Sequence, residues 1–224
     1  MIRVTGGTLR GRILPARVPP NVRPTASRVR EAIFSMVGQD LSGWSVLDLF
    51  GGSGLMAIEA ASRGASPVTV VDRNAGSLAC IRANVAAVSA DVKVLQGDAA
   101  STRVEADLVY LDPPFKDPIG PWIQRAAALA RRMVVAEARA GVEWPEVPGF
   151  AIDRAKVYGD TAVALYVRVG TLPAGAEDAV VGQDRGVVEH DGGGERVERE
   201  PAGLPGVVPG DEIAPDDRGG EDDG

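Results

Sequence analysis

The sequence is poor in the residues on which much enzyme chemistry depends. It holds one histidine, His190, and one cysteine, Cys80. A lone cysteine excludes an internal disulfide and suits a reducing cytoplasm, which is the expected location. With no cysteine cluster and no imidazole before residue 190, neither a zinc site nor a Ser-His-Asp or Cys-His nucleophile is expected in the body of the chain. No metal is expected. No apolar run approaches the roughly 20 residues that span a bilayer. The opening MIRVTGGTLRGRIL carries arginines but no apolar signal core. Neither a membrane protein nor a secreted one is expected. Chemistry in this chain must run on carboxylates, backbone groups, aromatic rings and a bound cofactor.

What is present is unevenly distributed. The 224 residues carry a formal charge of −7, but residues 1–43 hold +5, residues 44–170 hold −1 and residues 171–224 hold −11. The pI of about 4.9 therefore conceals a basic N-terminal arm. The last segment has 12 glycines, five prolines and no aromatic residue. Such a composition buries too little apolar surface to offset chain entropy, so 171–224 reads as a disordered acidic tail.

Between arm and tail the pattern alternates. Apolar, β-branched runs (SVLDLF, PVTVVD, VKVLQGD, ADLVYLD, RMVVAEA) are separated by helical segments (LMAIEAASRG, AGSLACIRANVAAV, PIGPWIQRAAALA). Near-continuous apolar strands bounded by helices predict a doubly wound, mostly parallel sheet covered on both faces. FAIDRAKVYG and TAVALYVRV, joined at Gly159-Asp160, predict a closing antiparallel hairpin. Ahead of the sheet, 1–24 reads as a short hairpin and an extended arm. RPTASRVREAIFSMV then reads as an amphipathic helix, with Thr25 or Ser27 as N-cap and Val29, Ile33, Phe34, Met36 and Val37 on one face.

Two turns carry the chemistry. VLDLFGGSGLMAIEAASRG (46–64) is a strand, a glycine-rich turn and a helix, with Phe50, Gly51, Gly52, Ser53 and Gly54 at the turn. Glycine lets the backbone approach a ligand, and the helix start offers unpaired N–H groups. Asp48, in the strand before it, would repel a pyrophosphate but welcome a cofactor with a cationic centre. Asp72, followed by Arg73, ends the second strand, where a carboxylate can accept from both ribose hydroxyls. Asp98, followed by Ala99, is placed for an adenine amino group. The second turn is Asp112-Pro113-Pro114-Phe115, which ends the fourth parallel strand. Two prolines cannot continue a strand. Asp112 and the Pro113 carbonyl form a rigid pair of acceptors suited to both hydrogens of an exocyclic amine, and Phe115 offers a face for a planar base. Taken singly, each acid could also be an ordinary helix-capping residue, and the prolines an ordinary turn.

These residues carry a resemblance. Class I S-adenosylmethionine-dependent methyltransferases acting on exocyclic amines have a first-strand Asp-x-Phe-x-Gly-x-Gly and a fourth-strand Asp/Asn/Ser-Pro-Pro-Phe/Tyr. Here DLFGGSG stands at 48–54 and DPPF at 112–115. With IRVTGGTLRGRIL, RPTASRVREAIFSM, EAASRGA and VYGDT, the chain over about residues 1–168 resembles the RsmD family, bacterial enzymes that methylate N2 of a guanine (position 966) in 16S rRNA. Departures are small: Gly52 and Met56 replace the expected Ala and Gly or Leu, and Asp72 stands where the family often has Glu.

The resemblance implies a Rossmann-like, seven-stranded α/β domain over 44–170, a basic RNA-binding extension over 1–43 and a tail over 171–224. It implies S-adenosylmethionine as cofactor, held by Asp48, Phe50, Gly51, Gly52, Ser53, Gly54, Asp72, Arg73, Asp98 and Ala99. It makes Asp112, Pro113, Pro114 and Phe115 the catalytic edge. Arg3, Arg10, Arg12, Arg23, Thr25, Arg28 and Arg30, with Arg17, become the RNA contacts. The implied partner is 16S rRNA or a 30S assembly particle, and the chain is expected to act as a monomer. The alternatives are a DNA adenine-N6 or cytosine-N4 methyltransferase, disfavoured by the lack of a separate target-recognition domain, and an inactive RNA-binding relative. A dehydrogenase is disfavoured by Asp48 and DPPF. Cytosine-C5 chemistry needs a cysteine nucleophile, whereas Cys80 lies on a helix that reads as core.

Overall fold

The computed structural model describes residues 2–15 and 25–170. Arg17, Arg23 and the tail 171–224 lie outside the described residues. The chain begins with a two-stranded antiparallel hairpin, β1 (Ile2–Arg3) and β2 (Ile13–Leu14), followed by helix α1 (Ser27–Val37). A strand–helix alternation follows: β3 (Val46–Asp48), α2 (Leu55–Ser62), β4 (Val68–Asp72), α3 (Ala75–Val88), β5 (Lys93–Gln96), β6 (Ala106–Leu111), α4 (Ile119–Ala127) and β7 (Ala130–Arg139). β8 (Phe150–Tyr158) and β9 (Thr161–Arg168) close the sheet.

The sheet has seven strands in the order β5-β4-β3-β6-β7-β9-β8. The five from β5 to β7 are parallel, and β9 lies antiparallel between β7 and β8. The apolar runs of the central strands are buried along almost their whole length because helices cover both faces. On one face Leu47, Val109, Leu111 and Val134 pack with Ile123 and Ala126 of α4. On the other, Val29, Ile33 and Phe34 of α1 pack with Val46, Leu108, Val135 and Leu165. Two residues, Gly159 and Asp160, link Tyr158 to its cross-strand partner Thr161, as the dipeptide signal predicts.

The chain runs from β3 outward to β5, then returns to β6 on the other side of β3. The carboxyl ends of β3 and β6 therefore flank the point where the strand order reverses, and this is where open α/β sheets form their ligand crevice. The structure shows the α/β, mostly parallel sheet with its antiparallel end.

The N-terminal segment is tied onto α2. The Thr8 N–H donates to the Ser62 carbonyl (2.7 Å), and Val4 and Leu14 join Leu55, Ile58 and Val88 in a small apolar cluster. Beneath it lies a buried ionic cluster that the sequence pattern does not announce. Glu59 of α2 is fully buried between Arg30 (3.3 Å) and Arg63. Its Oε1 also accepts the Thr5 N–H (2.7 Å) and the Thr5 hydroxyl (2.9 Å). The Arg63 guanidinium lies 3.9 Å from the centre of the Phe34 ring.

Two expectations are corrected here. Arg30, expected among the RNA contacts, is 4% exposed, and its donors are bonded to Glu59, the Thr25 carbonyl and the Arg3 carbonyl, so its guanidinium is engaged inside the protein rather than offered at the surface. It holds the arm down from inside. The N-cap of α1 is Ala26, with no side-chain cap bond, rather than Thr25 or Ser27. The Thr25 side chain is engaged elsewhere: its Oγ1 lies 3.4 Å from the Tyr110 hydroxyl.

Candidate functional site

The glycine turn after β3 is tightly built. Gly51 cannot carry a side chain, because a Cβ there would sit 2.5 Å from Val70 and 2.7 Å from Ile81. Gly54, at φ 76°, is the left-handed residue from which α2 starts. The turn is held from two sides. Asp48, 1% exposed, accepts the Phe50 N–H (3.1 Å) on one oxygen and also takes a backbone bond from Ala57. Asp72 accepts the Gly52 N–H (2.9 Å) and the Asn74 N–H (2.8 Å). The Asn84 amide donates to the Ser53 carbonyl (3.0 Å), and Ser53 is buried. Phe50 stands edge-on to Trp122, with ring centres 5.0 Å apart.

Along the same edge, Asp98 accepts the Ala100 N–H (2.8 Å) and lies 3.7 Å from the exposed Arg73 guanidinium. Ala99 beside it is buried. Both Asp72 and Asp98 thus serve as turn-capping acids while lying at the crevice, half-exposed.

On the other side of the reversal point, β6 leads into Asp112-Pro113-Pro114-Phe115. Pro113 is buried, Asp112 is half-buried, and Pro114 and Phe115 are exposed, Phe115 by 45%. A large apolar ring left exposed beside a rigid acceptor pair is an available stacking face. The β3/β6 register places Asp48 beside Tyr110, and the β6/β7 register places Leu111 beside Ala136. Side chains alternate along a strand. Tyr110 and Asp112 therefore share a face with Asp48 on β3 and Glu137 on β7.

That face is electrostatically strained. Burial pushes the Asp48 carboxyl up to about 7, with Asp112 and Asp72 adding to the shift against the Phe50 N–H bond. Glu137, 3% exposed, is pushed up to about 8 by burial and then by Asp112. Tyr110 is raised well above its ordinary value by burial and by Glu137 and Asp112. The Tyr110 hydroxyl donates to Glu137 Oε1 at 2.5 Å. Several buried acidic groups repelling one another favour a ligand that brings positive charge. They disfavour an anionic one.

Sequence reasoning misses Tyr110, Glu137, Glu59 and Arg63. A signal exists in two of them: Glu137 and Glu59 are single carboxylates inside otherwise apolar runs, VVAEA and LMAIEAA. Such an acid is buried only where partners wait for it.

Of the arginines assigned to RNA, Arg3, Arg10, Arg12 and Arg28 are exposed. Arg3 and Arg10 line a hollow of about 530 Å³ between the hairpin and the start of α1, which Thr25 and Ser27 also line. Arg30 reaches it only as part of its wall. Among the described residues, no helix is long and apolar enough to cross a membrane, and no cluster of His, Cys, Asp and Glu is arranged to hold a metal ion.

Comparison with known proteins adds to this geometry. The model of the family described as "Conserved hypothetical protein 95" matches residues 2–167. The Bacillus subtilis (strain 168) protein "Putative rRNA methyltransferase YlbH" is 33% identical over 190 residues, spanning 75% of this chain and all of that protein. Ribosomal RNA small subunit methyltransferase D of Escherichia coli (strain K12) is 31% identical over 183 residues, spanning 75% of this chain and 90% of the relative. The solved structure of yhhF from Escherichia coli superimposes with a TM-score of 0.65 at 31% identity, covering 75% of this chain and 97% of that one.

Proposed function

This chain belongs to the conserved hypothetical protein 95 family, the family of the RsmD rRNA methyltransferases, and from that premise we propose that it methylates the exocyclic N2 amine of a guanine in small-subunit rRNA. The observation that carries the reading is the position of Asp112-Pro113-Pro114-Phe115, at the carboxyl end of β6 and across the strand-order reversal from the glycine turn.

S-adenosylmethionine supplies an electrophilic methyl group on a sulfonium centre. The residues present fit it: the buried Asp48, repelled by Asp112 and Asp72, suits a cation where it would repel a pyrophosphate. Asp72 stands for the ribose hydroxyls and Asp98 with Ala99 for the adenine, with Phe50, Gly51, Gly52, Ser53, Gly54 and Arg73 completing the wall.

Asp112 and the Pro113 carbonyl accept the two hydrogens of the target amine and turn its lone pair toward the methyl group. They also stabilise the positive charge that grows on nitrogen as the bond forms. The methylated amine is acidic in that state, so its surplus proton passes to Asp112 or water and no histidine is needed. The base reaches this pocket only by leaving its stack, and the exposed Phe115 ring receives its face. Arg3, Arg10, Arg12 and Arg28 meet phosphates, with Arg23 assigned to the same task from its sequence position.

The test is labelled methyl transfer to 16S rRNA, to 30S particles and to DNA, followed by nucleoside analysis. N2-methylguanine from an RNA substrate is the expected product. N6-methyladenine, or no product, overturns the proposal.

A pH dependence follows from Asp48. Its folded value of about 7 lies above the roughly 3.9 of an unfolded Asp. Its contribution to stability is therefore full below about pH 3.9 and is lost progressively as pH rises from there to about 7. Ionised Asp48 favours a sulfonium over a neutral thioether. Between pH 6 and pH 8, calorimetry should show the affinity ratio of S-adenosylmethionine to S-adenosylhomocysteine rising by up to roughly tenfold, as about 1.4 kcal/mol of preference for the ionised carboxylate requires. A ratio flat across that range would refute the pairing of Asp48 with the cationic centre.

A further inference from the structure

The catalytic edge touches the RNA-binding arm through one small set of polar side chains. Tyr110 and Glu137 lie in an apolar floor of Val46, Leu108, Val135 and Val163, where a polar pair is the exception. Tyr110 is on β6 and Asp112 follows one residue past its end, so the strand's alternation, continued that one step, sets both toward the same face. The β6/β7 register, carried one step past Leu111 and Ala136, sets Glu137 beside Asp112. Asp112 is close enough to repel charge on both Tyr110 and Glu137. On the far side of the pair is Thr25, where the arm enters α1: its hydroxyl is 3.4 Å from the Tyr110 hydroxyl and also bonds Glu137. The Thr25 carbonyl accepts Arg30 Nη1 (2.5 Å), whose guanidinium also holds the Arg3 carbonyl (2.9 Å). Both ends of the arm, residues 3 and 25, are thus gathered on Arg30, and residue 25 is further tied to Tyr110.

We infer that Thr25, Tyr110 and Glu137 form a positioning unit that ties the RNA-binding arm to Asp112, so that an arm seated on RNA fixes the amine-orienting carboxylate. This rests on the methyltransferase reading above. None of the three touches the amine; Asp112 does. A Tyr–Glu bond in this place is not accounted for by stability alone, because an apolar pair of similar volume would pack the same floor without desolvating a carboxylate. It is accounted for by position: the Tyr110–Glu137 bond lies on the face that Asp112 shares, with Glu137 one register step past Ala136, and Thr25 links that bond to the start of α1.

The experiment uses the full chain and its RNA substrate. Tyr110→Phe and Thr25→Val remove only hydroxyl groups. Each should lower kcat roughly tenfold, the scale of a small misplacement in a transfer reaction, with the affinity for S-adenosylhomocysteine within about twofold of wild type; for Tyr110→Phe, which lies outside the RNA contacts, KM for RNA should also stay within about twofold. Glu137→Gln keeps an acceptor for Tyr110 and should retain most of kcat, whereas Glu137→Ala should not. A purely structural role would lower the melting temperature and leave kcat of the folded protein unchanged. A kcat for Tyr110→Phe within twofold of wild type overturns the inference.

Amide hydrogen exchange provides a readout independent of activity. Tyr110→Phe should speed exchange in the first turn of α1, where the Arg30 N–H donates to Ala26. Unchanged exchange there overturns the tie. If the wild-type chain transfers no methyl group, the methyltransferase reading fails by itself, and exchange alone decides whether Tyr110 holds α1.

Discussion

Replacing Asp112 with alanine is expected to lower methyl transfer about a hundred- to a thousandfold, the usual loss when one preorganised group facing developing charge is removed. Binding of S-adenosylhomocysteine should stay within a few-fold of wild type. The separation follows from the sheet. The glycine turn is held by Asp48 and Asp72, bonded to the Phe50 and Gly52 amides, and Asp112 lies across the reversal point from it. Its removal also relieves the repulsion by which Asp112 raises both Asp48 and Glu137. Asp112→Asn keeps one acceptor oxygen but loses the charge, so its activity should lie between alanine and wild type. Single-turnover transfer and calorimetry on the same preparations separate the two effects. Near-wild-type turnover by Asp112→Ala would remove the amine-orienting role.

The parts of this molecule that are legible in its sequence are those set by local pattern. Helix α3 runs from Ala75 to Val88, the stretch the alanine-rich segment AGSLACIRANVAAV defines. Asn74 starts it by accepting the Gly76 and Ser77 amides, local chemistry that a sequence displays. The glycine turn and DPPF are legible for the same reason, since each packs its requirement into a few consecutive residues. Arg30 is not legible. It sits among arm arginines, and only Glu59, 29 residues away on α2, converts it from a surface charge into a buried one. Thr25 misleads similarly: threonine before a helix reads as a cap, but its hydroxyl goes to Tyr110, 85 residues on. Tyr110 and Glu137 belong to different strands, and only strand order makes them neighbours. What stays hidden is the polar interior, whose partners come together through tertiary pairing, while periodicity reports only which face is apolar.

That polar interior leads to a second large effect. Glu59→Ala is expected to destabilise the folded chain by about 3–5 kcal/mol, the cost of leaving a buried ion without its partner. Here one carboxylate serves two guanidinium groups, Arg30 and Arg63, whose side chains are 4% and 2% exposed. Removing it leaves two buried cations facing each other, bonded among the described residues to carbonyls, Thr5 and Gln39 and, for Arg63, stacked on the Phe34 ring. It also orphans the Thr5 amide and hydroxyl, which bond Glu59 Oε1. For a folded body of this size the loss corresponds to a fall in Tm of roughly 10 °C. Replacing all three residues together, Arg30→Met, Glu59→Leu and Arg63→Met, should recover most of that stability, since buried ionic clusters exchange with apolar groups at little net cost. The triple variant should still lose function at the arm. With no Arg30 to bridge the Arg3 and Thr25 carbonyls, amide exchange should quicken across residues 2–14, KM for RNA should rise, and kcat should fall as well because Thr25 loses its hold. Thermal melts and urea titrations of the single and triple variants decide the energetic part. A Glu59→Ala variant within about 1 kcal/mol of wild type would show that water reaches the two arginines and that the cluster is not the buried clamp its geometry implies.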